Sequence, residues 1–143
     1  MRYYLDTNIL IFYIFSNDND NDLSNDVLDI LTDYYNLFYT SSVCISELMH
    51  LYKSGNVAFK NSSLKDAKKI LDALHEANVE IVEVREKHLA TYADLDIPYS
   101  EHNDPNDHLI IAQSISDKIP IISSDSKFQF YENQGLKFVF NKR

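Results

Sequence analysis

At 143 residues, with 45% hydrophobic residues, two glycines and three prolines, the chain has the make-up of one packed domain over 1–143, burying roughly 68–70% of the surface its unfolded form would expose; a disordered or collagen-like polymer is excluded. Thirteen lysines and arginines against 22 aspartates and glutamates give a net charge of −9, which excludes a generic nucleic-acid binder held by cationic side chains. Cys44 is the only cysteine, so no internal disulfide or cysteine-built zinc cage can form, and a reducing, cytoplasmic setting is expected.

In chain order, "RYYL" at 2–5 reads as a buried first strand, and "ILIFYIF" at 9–15 is apolar all round, as a buried first helix would be. That run is too short to span a bilayer and lacks the flanks of a signal peptide, so no membrane role is expected. "SNDNDNDLSND" is a polar surface loop. Its alternating Asp18, Asp20 and Asp22 imitate a calcium loop, but Leu23 stands at the required glycine and Asp29 at the required glutamate. "DVLDILTDYYN" has the helical period, "LFYTS" at 37–41 reads as a strand, and "VCISELMHLYKS" is helical again. "SLKDAKKILDALHEAN" is an amphipathic surface helix with Ser63 and Asp66 in capping-box spacing. "VEIVEV" at 79–84 alternates as a strand, "KHLATYADL" and "HLIIAQSIS" are helical, and "IPIIS" at 119–123 is a strand. A short helix around "SKFQFYE" and a last strand "LKFVF" close the chain. Strands separated by helices predict an α/β fold, a parallel sheet covered on both faces.

On that scaffold the acids fall where ligands bind, beyond the carboxyl ends of parallel strands. Asp6 ends the first strand, Asp125 follows the fourth, and Asp104 and Asp107 open the helix leading into it. Each could equally be a cap or turn residue: Asp104 reads as an N-cap, Pro105 as the first helical residue, and Asp107 as a first-turn acid facing the positive helix end. Glu47 caps nothing. At about 100° per residue it lies roughly 40° from Val43 and from Leu51, inside the apolar arc of its helix. A carboxylate there must be protonated, paired or bound to a cation. Acids gathered without lysine or arginine stay ionised together only around a shared ion, and oxygen donors suit a hard one, Mg²⁺ or Mn²⁺. Such a site suits phosphodiester hydrolysis. The five histidines show no zinc-motif spacing; His102 and His108 flank the acids and read as surface residues, with a supporting role beside the acids as the alternative.

"YLDTNIL", "SSVCISELMHL", "HNDPNDHLIIAQS" and "IPIISSDSKF" together, in this order, resemble the PIN-domain ribonucleases, and within them the VapC-like toxins of toxin–antitoxin pairs. The resemblance implies a three-layer α/β/α sandwich with a mostly parallel, five-stranded sheet. It implies an acid pocket of Asp6, Glu47, Asp107 and Asp125, holding Mg²⁺ or Mn²⁺ for cleavage of RNA. Asn8 matches the family's "DTN" and Ser123 a frequent hydroxyl, while Asp104 is the first acid of "DPxD"; these three are expected to support the four acids. The family also implies a homodimer, and the acidic balance suits a small basic antitoxin whose arginine enters the pocket. His108 stands where relatives often have arginine, which removes a charge-assisted contact to carboxylates or substrate. Two other readings compete. A structure-specific DNA nuclease would need more basic surface than −9 allows. A receiver-type signalling module would need an acid beside Asp6 and an aspartate ending the third strand, where the chain has Thr7 and "VEVREK".

Overall fold

The computed structural model describes residues 1–15, 22–55 and 68–143. Strand β1 (Arg2–Leu5) leads into α1 (Thr7–Leu10), which widens into a π-helical turn over Ile11–Phe15. Then come α2 (Asn25–Thr32), β2 (Leu37–Ser41), α3 (Ser42–Lys53), α4 (Lys68–Glu76), β3 (Val79–Val82), α5 (Glu86–Asp94), α6 (Pro105–Asp117) and β4 (Ile121–Ser123). A 3₁₀ segment over Ser126–Gln134 precedes β5 (Phe138–Phe140). The five strands form one sheet in the order β3-β2-β1-β4-β5. Every pairing is parallel, with Tyr4 opposite both Tyr39 and Ile121, and Ser123 opposite Phe140.

That order decides where a ligand goes. From β1 the chain steps outward to β2 and β3, then crosses back to β4 on the other side of β1. Right-handed crossovers therefore put the helices before β3 on one face and α5 and α6 on the other. The strand order reverses between β1 and β4, and the crevice at such a reversal opens beyond the carboxyl ends of these two strands. Leu5 is followed there by Asp6, and Ser123 by Ser124 and Asp125.

Both central strands are enclosed. Leu5, Ile121 and Ile122 are fully buried against Ile9, Leu10, Leu48, Ile110, Ile111 and Phe128. Each such side chain contributes about 1.5–3 kcal/mol relative to exposure, so the acids that follow them hang from strands anchored in the core. α6 is fixed at both ends. Asp104 accepts a hydrogen bond from the Asn106 N–H at 3.0 Å, Pro105 occupies the first turn, and Lys118 closes the helix in the left-handed region at φ 56°.

The first helix departs from its sequence reading. Ile9, Leu10 and Phe15 are buried, but Tyr13 is 37% exposed. Its hydroxyl donates to the Leu31 carbonyl at 3.3 Å, and Phe12 lies 4.7 Å beneath the Arg143 guanidinium. The outer apolar residues are thus capped by α2 and the C-terminal tail rather than enclosed in the core. The proposed capping pair Ser63 and Asp66, like Asp18 and Asp20 of the calcium-loop imitation, lies outside the described residues. Asp29 falls inside α2.

Candidate metal centre

Asp6 leaves β1 as the N-cap of α1, buried and with both oxygens engaged. Oδ1 accepts from the Thr7 N–H at 2.8 Å, with the Cys44 thiol 3.9 Å away. Oδ2 accepts from the Ser123 hydroxyl at 2.6 Å and from the Asn8 amide at 3.1 Å. Asn8 also accepts from the Ser124 N–H at 3.1 Å, and the Ser123 oxygen accepts from the Asp125 N–H at 3.0 Å. Asn8 and Ser123 thus tie the end of β1 to the end of β4, as a pair expected to support the acids should. Burial pushes the Asp6 carboxyl up from its ordinary value, against the pull of the Ser123 and Thr7 bonds.

Glu47 comes from α3, whose start is fixed by Ser41 accepting from the Val43 N–H at 3.0 Å. It is half-buried, and its Oε1 accepts from the Thr7 hydroxyl at 3.3 Å. Burial, then the charges of Asp6 and Asp104, push it up to about 7. Asp107, in the first turn of α6, is pushed up to about 8 by burial and by Asp6, Asp104, Asp125 and Glu47. Asp125 caps the 3₁₀ segment, its Oδ1 accepting from the Lys127 N–H at 2.9 Å. The four acids and Asp104 therefore share one electrostatic neighbourhood built from four separate stretches of chain. Asp104 does cap α6, but it also adds negative charge to Glu47 and Asp107.

The histidines overturn their sequence reading. His102 and His108 are buried, 2% and 1% exposed, with ring centroids 4.9 Å apart. His102 Nε2 lies 3.0 Å from Asp107 Oδ2 and its Nδ1 2.7 Å from the Tyr131 hydroxyl. His108 does not replace an arginine facing carboxylates: its Nε2 lies 2.9 Å from the His102 carbonyl oxygen. Nothing periodic marks His102, because its burial comes from a partner 29 residues away. The usable signal was its place in the loop just before Asp104. The Thr7 contacts with Asp6 and Glu47, and the approach of Cys44 to Asp6, were also missed.

The donor set fits a hard divalent cation. Among the described residues no lysine or arginine forms an ion pair with Asp6, Glu47, Asp107 or Asp125; the cationic pairs run to Asp117 and Asp22. Ligand atoms of His102, Asp107 and Asp125 all lie within 4.8 Å of one another. Burial and then the neighbouring acids favour the protonated forms of Glu47 and Asp107, and a bound cation would favour the ionised ones.

A family model for the PIN domain matches residues 3–133. The chain belongs to the PIN-domain family. This PIN domain is also similar in fold to VapBC2 from Rickettsia felis bound to a DNA fragment from its promoter, at TM-score 0.67 and 21% identity, with 99% of this chain and 100% of that one covered. It is similar to FitAcB from Neisseria gonorrhoeae at TM-score 0.62 and 21% identity, covering 97% and 96%. VapBC-5 from Mycobacterium tuberculosis, a member of the VapBC family of toxin–antitoxin systems, gives TM-score 0.57 and 22% identity over 97% and 98%. No curated protein sequence matches. The sheet of this PIN domain is wholly parallel rather than mostly so, and no described helix is long and apolar enough to cross a membrane.

Proposed function

We propose that this PIN domain is a metal-dependent endoribonuclease and the toxin of a toxin–antitoxin pair. The observation that carries the reading is that the charges of Asp6, Glu47 and Asp125 all act on Asp107 beyond the β1–β4 reversal, with no described lysine or arginine paired to these acids. These four residues would hold Mg²⁺ or Mn²⁺. Bound there, the cation supplies a Lewis acid for the phosphoryl oxygen and a water of lowered pKa.

The chain's own residues do the rest. Ser123, Asn8 and the Thr7 N–H fix both Asp6 oxygens, so the carboxylate is aligned before any ligand arrives. Thr7 steers Glu47 through its hydroxyl, coupling α1 to α3. Without a cation Glu47 changes charge at about 7, so taking up the ion there is coupled to release of a proton near neutral pH. RNA is favoured over duplex DNA as substrate because a −9 chain has little to spread along a duplex backbone. The same charge suits a small basic antitoxin, consistent with relatives studied as VapBC and FitAcB complexes.

The test is cleavage of pooled cellular RNA and of matched single- and double-stranded DNA by the purified chain. RNA fragments should appear with Mn²⁺ or Mg²⁺ and vanish with chelator. Glu47→Gln and Asp107→Asn should each lower turnover by at least ~100-fold with the folded circular-dichroism spectrum retained, as expected when a ligand carboxylate is lost. Wild-type rates in both variants, or cleavage confined to DNA, would defeat the reading. Co-expression with the product of the neighbouring small open reading frame should yield a complex, and sedimentation should give a homodimer.

A further inference from the structure

We infer that His102 is a positioning residue: held by Tyr131, it donates from Nε2 to Asp107 Oδ2 and leaves the other Asp107 oxygen to meet the cation. The inference rests on the metal-dependent reading above and adds a device to it.

The hydrogen-bond directions follow from which atoms can carry protons. A phenol hydroxyl both donates and accepts, whereas a cation-bound carboxylate only accepts. The Tyr131 hydroxyl has one hydrogen-bond partner among the described residues, His102 Nδ1 at 2.7 Å. With Asp107 ionised beside the cation, Nε2 carries the ring proton and donates across 3.0 Å to Asp107 Oδ2, which leaves Nδ1 to accept from Tyr131. Both ring nitrogens are then used. Although His102 lies close enough to Asp107 and Asp125 to be counted with them as a ligand, it has no free lone pair to offer.

The ring is also held mechanically. His108 donates from Nε2 to the His102 carbonyl at 2.9 Å, fixing the backbone. The His108 ring packs edge-on at 89°, and Phe128 and Tyr131 approach from the 3₁₀ segment, with centroids at 6.1 and 5.5 Å. Tyr131 is fully buried on the 3₁₀ segment that Asp125 caps. The path from Asp125 through that segment to Tyr131, His102 and Asp107 thus sets the spacing of two acids that come from different elements. A histidine reaching a ligand carboxylate in this way tunes affinity without touching the ion.

The experiment is Mn²⁺ binding, followed by calorimetry and pulsed electron paramagnetic resonance, on wild type and variants, with circular dichroism to confirm folding. His102→Ala should weaken Mn²⁺ affinity about 10–100-fold. His102→Gln should recover much of that loss, because its amide can still donate to Asp107, and Tyr131→Phe should weaken binding less than His102→Ala. The His102→Ala/Asp107→Asn double variant should bind no more weakly than Asp107→Asn alone, as for groups acting through one another. Wild-type Mn²⁺ should show no directly coordinated nitrogen. A coordinated nitrogen, full additivity, or wild-type affinity in both His102→Ala and Tyr131→Phe would overturn the inference alone. A wild type that fails to saturate with Mn²⁺ would overturn the metal reading and this inference with it. Tyr131→Phe keeps the ring in the core, so the test survives if His102→Ala does not fold.

Discussion

Glu47 and Asp107 carry the clearest consequence at the scale of single residues. Their folded-state values of about 7 and about 8 lie above the ordinary 4.5 and 3.8, because burial and neighbouring acids disfavour the charged form. The folded chain therefore keeps protons that the unfolded chain releases. The stability these two groups contribute is full below about pH 4 and is lost as pH rises through their folded values. Melting temperature in chelator should fall across that window. In the Glu47→Gln/Asp107→Asn double variant the profile should flatten. Mn²⁺ should reverse the trend, raising the melting temperature more above pH 8 than near pH 5.5, since protons and the cation compete for the same oxygens. Its binding near neutral pH should release protons, measurable as a buffer-dependent enthalpy. A wild-type melting profile in chelator that is flat between those limits would contradict the carboxyl assignments.

Asp104 shows how one residue serves its element and the site together. It caps α6 and its charge raises both Glu47 and Asp107. The two jobs separate chemically, because asparagine caps nearly as well as aspartate without the charge. Asp104→Ala should cost about 0.5–2 kcal/mol of stability, as lost caps do. Asp104→Asn should leave denaturant stability near wild type yet move the titration of Glu47 and Asp107 downward, which carboxyl-selective NMR would read. Equal losses in both variants would mean that the cap does not set the stability. The same helix marks where sequence reasoning succeeds and stops. The Asp104–Pro105 start, the buried "HLIIAQS" face and the strands "RYYL" and "LFYTS" were legible because caps and periodicity are local. Glu47 was legible because it breaks its own helix's apolar arc. The burial of His102 and the Tyr131 contact were not, since they depend on a loop and a 3₁₀ turn meeting across the fold. The π-helical widening after Leu10 left no mark either, because an all-apolar run has no phase to shift.

For the molecule as a whole, a net charge of −9 and an acid-lined crevice pose the same electrostatic problem to any RNA phosphate that approaches. Without a cation, the phosphate meets Asp104, Asp107 and Asp125 at the mouth of the crevice with Asp6 buried behind them, and like charges at close range repel in poorly screened surroundings. One divalent ion offsets two of those negative charges and offers a phosphate oxygen a cationic contact, while the rest of the surface stays acidic. RNA affinity should therefore depend on the site far more than on the surface. Binding of a single-stranded RNA with a non-hydrolysable linkage should fall at least ~10-fold on chelation, and Asp107→Asn should lose most of the Mn²⁺-dependent gain. The decline of affinity with monovalent salt should be shallow, because few lysines or arginines meet the phosphates and so few counterions are released. A basic partner would behave oppositely, its association slowing steeply as ionic strength rises. Fluorescence anisotropy with RNA and stopped-flow mixing with the co-purified partner would give the two salt slopes side by side. A steep slope for RNA that ignores the divalent ion would place its contacts on the outer surface and remove the crevice from recognition.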